Sequence, residues 1–542
     1  MSSYRHRVLA IGLDGATFTL IDPWVAAGDL PELARLMNAG CHGELRSTFP
    51  PLTPPAWSSF MTGKNPGKHG IFSFRHPAAA GYATGKLITA NSLKARTLWQ
   101  IVGEAGLPVG AINVPPSYPV RPINGFMVAC MFAPPGERAI VYPPELRAVL
   151  GDDYEITVAP PGQLRTTDPD YRERCLDYLN RLRRQAQRRL EITQRLMAEC
   201  PWALLSVVFY EPDRIQHFFW HYLAGAGPPG VDHTLIEELA REARAAYRQL
   251  DEAVGELVRA AGPETITLIV SDHGFGAAPD RFVYVNRWLI EGGWLRPYAT
   301  WRWRRRLVKQ LPRRLRARYK AVDKVLIDFS RSSAWCEVMD VRSAGVWLNV
   351  RGRQPLGSIT PGREYDTARD KLIRALADVH EDGDRVFDLV APREAVYKGP
   401  MTAFAPDILL STNPRHGLSF SLRGDVAASS VFAPFDWSGY TGTHDPAGVY
   451  IVSGPGIAPL GRRVPAQIEA VAPTILCLLG LPIPDDMDAA PLLDVLTPEL
   501  RASSTVQYMA DRAADATEGG GWLSEDDQSQ VEERLRALGY LE

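Results

Sequence analysis

Six residues of types that bind metal through oxygen or imidazole fall where apolar runs end. They are Asp14 in AIGLDGAT, Asp213 and His217 in FYEPDRIQHFFW, Asp272 and His273 in LIVSDHGFG, and His444 in TGTHDPAGVYIVSG. A seventh, Thr53, sits in the proline-dense stretch PPLTPPAWSSFMTGKNPGKHGI. The i, i+4 spacing of Asp213 and His217 puts both side chains on one face of a helix, a workable chelating pair. Thr53 stands where a short helix begins, and helix starts favour anions. Each position also has a plainer use. Asp14 would serve as a cap for the helix after its strand, and Thr53 as the N-cap of a helix opening with Pro54. Asp213 with His217 would serve as a polar helix start with a buried histidine, and His444 as a structural histidine. As a set they point elsewhere: oxygen and imidazole donors without thiolates suit Zn²⁺ or Mn²⁺, and six ligands plus a hydroxyl make two sites.

The elements that must carry these residues are legible as apolar runs alternating with amphipathic patterns. Strands are expected at 7–13, 108–114, 125–132, 203–210, 265–272 and 448–457, and helices at 30–40, 171–199, 233–261 and 467–481. This alternation predicts an α/β fold whose mostly parallel sheet is sandwiched by helices. Such sheets bind ligands outside the carboxyl ends of their strands, where the candidate ligands fall.

With 542 residues the chain exceeds one ordinary core. The expected division is a catalytic core from 1–280 and 441–498, an inserted cap subdomain at 281–440, and a surface tail with a terminal helix at 499–542. Hydrophobic content of 45% and charged content of 23% are those of a soluble globular protein, and a net charge of -2 gives no reason to expect a nucleic-acid partner. Six scattered cysteines form neither a CxxC motif nor a disulfide framework, which fits a reducing, cytoplasmic setting. The N-terminal VLAIGL is too short for a signal core, and no apolar run is long enough to span a membrane. The segment 301–320 holds ten Lys or Arg and no acid. It reads either as a solvated helix or as an interfacial helix meeting an anionic membrane surface or polyanion.

The order Asp, Thr, Asp-x3-His, Asp-His, His resembles the alkaline phosphatase superfamily. The TG and HGI that follow Thr53 resemble its nucleotide pyrophosphatase/type I phosphodiesterase branch. GLDGAT, PPLTPPAWSSFMTGKNPGKHGIFSF and GTHDPAG resemble a group of predicted phosphohydrolases or phosphomutases within it. The resemblance implies one metal held by Asp213, His217 and His444 and another by Asp14, Asp272 and His273, with Thr53 as nucleophile and as a ligand of the second. It implies two divalent ions, Zn²⁺ ahead of Mn²⁺, and hydrolysis of a small phosphorylated substrate, monoester or diester, through a phospho-threonine. Where the nucleotide branch follows its nucleophile with Phe-Pro-Asn, this chain has Pro54, Pro55 and Ala56, so the phosphate contact of that Asn must come from elsewhere. Lys64, Lys68 and His69 are the candidates, with solvated surface positions as the alternative. Two further readings stay open: a phosphomutase of the cofactor-independent phosphoglycerate mutase type, and a non-catalytic binding protein on the same fold.

Overall fold

The computed structural model describes residues 6–511 and 523–537 apart from 78–80, 83–84, 152–153, 161–163, 226–230, 299–326, 420–427, 429 and 436–438. The basic run 301–320 and part of the C-terminal tail therefore lie outside the described residues. The chain forms two units: 1–71, 88–277 and 437–541 make the first, and 72–87 with 278–436 make the second.

The first unit is built on nine described strands. They are β1 (Arg7–Leu13), β2 (Cys41–Arg46), β3 (Val109–Ile112), β4 (Gly125–Val128), β5 (Val141–Tyr142), β6 (Leu204–Phe209), β7 (Thr265–Val270), β10 (Ala447–Ser453) and β11 (Ala466–Gln467), in the order β11-β2-β10-β7-β1-β6-β3-β4-β5. Two more, β8 (Gly274–Ala277) and β9 (Gly442–Asp445), pair only with each other. The centre of the sheet, β7-β1-β6-β3-β4, is parallel, while β10 runs antiparallel between β7 and β2. Strands β6 and β7 are buried at every position, and such continuous apolar runs are what a parallel sheet covered on both faces demands.

The longer helices of this unit are α1 (Phe18–Ala26), α2 (Pro31–Ala39), α3 (Thr53–Thr62), α4 (Leu98–Glu104), α5 (Tyr171–Glu199), α6 (Glu211–Leu223), α7 (His233–Ala261), α8 (Val471–Leu479) and α9 (Glu525–Ala537). Helix α5 buries Cys175, Tyr178, Leu179, Leu182, Ala186, Leu190 and Thr193, a stripe at three- and four-residue spacing that leaves its arginines outward except Arg189, which is buried. Helix α7 does the same with Leu239, Ala243, Ala246, Leu250, Val254 and Leu257. Helix α2 has Pro31 in its first turn and no side-chain cap of its own. Asp251 of α7 supplies one, accepting from the Glu32 and Leu33 N–H groups at 2.9 and 2.8 Å.

The second unit holds a four-stranded antiparallel sheet in the order Ala334–Asp340, Ser343–Leu348, Ile408–Thr412 and Phe387–Pro392. Its core joins Trp335 and Trp347 to Leu372 and Leu376 of the helix Arg363–Ala377. The segment 72–87 belongs here: the Tyr82 ring stacks on Phe329 at 3.7 Å and its hydroxyl donates to Asn349 Oδ1 at 2.7 Å. None of the six cysteines is in a disulfide. Among the described residues no helix is long and apolar enough to cross a membrane.

Candidate metal centre

All seven expected site residues lie in the first unit, and all are buried. Asp14 follows β1, Asp213 and His217 lie on α6 directly after β6, and Asp272 and His273 follow β7. These are the carboxyl ends of three neighbouring parallel strands. His444 arrives from far along the chain, because β9 pairs antiparallel with β8 and sets His444 opposite Phe275.

Asp213, His217 and His444 form one group and Asp14, Asp213 and His273 another, each with its donor atoms within 4.8 Å of one another. Asp213 thus belongs to both groups, which the sequence did not suggest. His217 Nε2 and His444 Nε2 are 3.1 Å apart, and His444 Nε2 is 3.2 Å from Asp213 Oδ1. His273 Nε2 lies 3.7 Å from Asp14 Oδ1 and 3.4 Å from Asp272 Oδ2. Asp272 Oδ1 is taken by the Gly15 N–H at 3.2 Å.

Two imidazoles are oriented by the main chain. The Nδ1 of His217 faces the Gly442 carbonyl at 3.3 Å, and that of His273 faces the Gly274 carbonyl at 3.1 Å. With Nδ1–H donated there, each Nε2 lone pair faces the carboxylates, the arrangement metal-binding histidines use. Asp14 Oδ1, Asp272 Oδ2, His273 Nε2 and Thr53 Oγ1 are buried without a hydrogen bond. Burial and the neighbouring Asp213 charge push the Asp14 carboxyl up to about 8. Burial and the charges of Asp14 and Asp213 likewise raise Asp272 well above the usual range. Against its own burial, Asp213 is held well below that range by His217, His444 and Arg214, and burial keeps His273 neutral. Three close buried carboxyls, inward-facing ring nitrogens and unbonded polar atoms fit divalent cations.

Thr53 is the first residue of α3, and the N-cap is Leu52. The Thr53 hydroxyl caps nothing, which removes its plainer use. Four residues on, on the same helix face, Trp57 donates from Nε1 to Asp14 Oδ2 at 3.1 Å. Gly12 makes room for that indole, since a Cβ there would lie 2.4 Å from Trp57 Cη2. Gly15, at φ +70°, sits against Phe275 and Asp213 and lends its carbonyl to Gln216 Nε2 at 2.7 Å. The helix start offers few donors. Pro54 and Pro55 have no N–H, and Ala56 gives its own to Leu52, leaving the Thr53 N–H as the first-turn candidate.

Lys64 and His69 are buried, Lys68 is half-buried, and all three are engaged by other partners. Lys64 is 4% exposed and bonds Asp486 and Asp511 at 2.5 and 2.7 Å. Lys68 pairs with Asp488. His69 bridges Ser59 and the Ile71 N–H, and burial beside Lys64 lowers it to about 3. Lys64 also lies beyond the far end of α3, roughly 15 Å along the axis from Thr53. Sequence reasoning also missed Trp57, Gln216 and a buried network behind α6. There Arg189 of α5 bonds both Glu211 oxygens at 2.6 and 2.7 Å and Asn113 Oδ1 at 3.1 Å. Only Gln216 and Glu211 carried any signal, as polar residues inside EPDRIQH.

The sequence model for type I phosphodiesterase / nucleotide pyrophosphatase matches residues 8–430. Among solved structures, phosphonoacetate hydrolase from Sinorhizobium meliloti 1021 with phosphonoformate is similar at 17% identity and TM-score 0.52, covering 86% of this chain and 94% of that one. Its complex with phosphonoacetate gives TM-score 0.51 at the same identity and coverage. Murine ectonucleotide pyrophosphatase / phosphodiesterase 5 gives TM-score 0.49 at 13% identity, covering 91% of this chain and 100% of that one. The likeness to the hydrolase shows a shared fold. No curated protein matches the chain by sequence.

Proposed function

Since the chain belongs to the type I phosphodiesterase / nucleotide pyrophosphatase family of the alkaline phosphatase superfamily, a family of metal-dependent phosphoric ester hydrolases, we propose that Thr53 is its nucleophile toward a small phosphate ester. The observation that carries this is the buried Thr53 hydroxyl, unbonded at the first position of α3. The same helix face fixes Asp14 through Trp57. In this reading Asp213, His217 and His444 hold one divalent ion, and Asp14, Asp272 and His273 hold another with Thr53. Zn²⁺ is preferred over Mn²⁺ for these donors. When bound, the two ions lower the pKa of the Thr53 hydroxyl and stabilise the leaving oxygen.

Thr53 Oγ loses its proton and bonds to phosphorus, and the ester oxygen leaves with the electron pair of the broken bond. Water then cleaves the phospho-threonine, restoring the hydroxyl and releasing the phosphoryl group. Trp57 keeps Asp14 in register with the nucleophile, while the Gly442 and Gly274 carbonyls keep His217 and His273 facing the reacting centre. The Thr53 N–H is the first-turn group left to meet a phosphoryl oxygen, in place of the Asn that Ala56 replaces. A non-catalytic protein would have lost a ligand or the hydroxyl, and all seven positions keep theirs.

The test is turnover of p-nitrophenyl phosphate and bis-p-nitrophenyl phosphate after loading with Zn²⁺ or Mn²⁺. Metal-dependent turnover that falls roughly a thousandfold or more in Thr53→Ala is expected, and the preferred ester sets the substrate class. Equal turnover by Thr53→Ala would overturn the assignment.

A further inference from the structure

Two guanidinium groups converge on Met131 beside the Asp213–His217–His444 group. Arg214 follows Asp213 on α6, is 1% exposed, and places Nη1 3.6 Å from Asp213 Oδ2. Its Nη2 lies 3.8 Å from Met131 Sδ. Arg534 comes from α9, more than three hundred residues later in the chain. Its Nη2 donates to the Met131 carbonyl and, at 2.6 Å, to that of Ala133. Helix α9 is seated by buried Val531 and Leu535. Tyr440 joins it to the metal centre: its hydroxyl donates to the Ala537 carbonyl at 3.1 Å, and its ring stands edge-on to His217 at 5.6 Å.

Among the described residues Arg534 has no carboxylate partner. Its burial, with the Arg214 charge adding to it, pulls the guanidinium down to about 10. Asp213 answers the charge of Arg214, whereas Arg534 is held in a largely buried position by two carbonyls alone among the described residues, so a further anion beside it would be stabilised. The guanidinium fork is the side chain best shaped to receive a phosphate or carboxylate.

We propose that Arg214 and Arg534 form a subsite for a second anionic group, phosphate or carboxylate, that the substrate carries beside the phosphoryl group under attack. This rests on the hydrolase reading for the identity of that phosphoryl group. It makes α9 a specificity element: one guanidinium comes from the metal-bearing helix, the other from the end of the chain.

The experiment is calorimetric titration of the full-length, Zn²⁺-loaded protein, at fixed free Zn²⁺, with three ligands that are not esters. Methylphosphonate carries one anionic group, methylenediphosphonate adds a second phosphonate, and 3-phosphonopropionate adds a carboxylate. At least one two-anion ligand is expected to bind about tenfold or more tighter than methylphosphonate, and which one does so identifies the second group. Arg534→Gln keeps N–H donors for the Met131 and Ala133 carbonyls but drops the charge, and it should remove most of that advantage. Arg534→Lys keeps the charge and should retain it. An advantage lost equally in both variants would assign Arg534 to seating the helix and overturn the proposal, as would no advantage in the wild-type protein. Failure of the hydrolase reading shows separately, as turnover that survives Thr53→Ala, whatever the ligand ranking.

Discussion

Asp14 gives one carboxylate oxygen to the Trp57 indole and leaves the other unbonded beside His273. The indole therefore aims the carboxylate as well as filling the space over Gly12. Trp57→Phe should keep most of the packing and lose the aim, weakening metal affinity by about 10- to 100-fold. Competition against a calibrated chelator measures this, and unaltered affinity would show that Asp14 needs no such support. At this scale the candidate side chains that the fold brings together were legible in the sequence, because Asp-x3-His and Asp-His stand directly after apolar runs. Trp57 was not: a tryptophan four residues into a helix looks like any core aromatic until Asp14 is seen across from it. Nor was the double membership of Asp213, which depends on where β1 and β7 end relative to α6.

Helix α6 carries Glu211, Asp213, Arg214 and His217, and its placement depends on Arg189 of α5. That ion pair is buried at 0% and 1% exposure, so removing one partner strands the other charge. Arg189→Met should cost about 3–5 kcal/mol, and adding Glu211→Met should recover much of it. Chemical denaturation of the two variants checks both halves of the statement. Helix α2 offers a pH-dependent counterpart. Burial pushes its capping carboxyl, Asp251, up to about 6 from 3.8. A folded-state pKa above the unfolded one contributes stability that is full below the unfolded pKa and lost as pH rises through the folded one. Between pH ~4 and ~6 the wild type should lose on the order of 1–2 kcal/mol relative to Asp251→Asn, allowing for the solvent that reaches the group. Parallel stability curves for the two proteins across that window would contradict this. The long helices and buried strands were legible because their periodicity runs for many turns: α5 and α7 span the residues their patterns mark. The β8–β9 pair was not legible. Its glycine-rich strands are short, and the pairing joins segments well over a hundred residues apart, beyond any local pattern.

Across the whole molecule, the sheet gathers three carboxylates into one buried place where the Asp213 charge raises the cost of ionising Asp14 and Asp272. Metal removal should therefore lower the melting temperature and re-addition restore it, by about 2.7 kcal/mol at free metal a hundredfold above its dissociation constant. Asp272→Asn should do the reverse to the metal-free protein, raising its melting temperature while shrinking the gain on adding metal. A melting temperature indifferent to metal in both proteins would remove the cation from the account. The parallel α/β architecture was legible at this scale from alternation alone. The seating of α9 against the loop after β4 was not, because Arg534 in an ordinary charged helix gives no hint of two backbone carbonyls waiting for it.

The most direct measurement is acid-quenched peptide mass spectrometry of the metal-loaded protein during turnover of a p-nitrophenyl phosphate ester. The account predicts one phosphoryl group on the peptide containing Thr53, absent without metal and absent in Thr53→Ala. Sustained turnover with that peptide unmodified, and with Thr53→Ala still active, would contradict it.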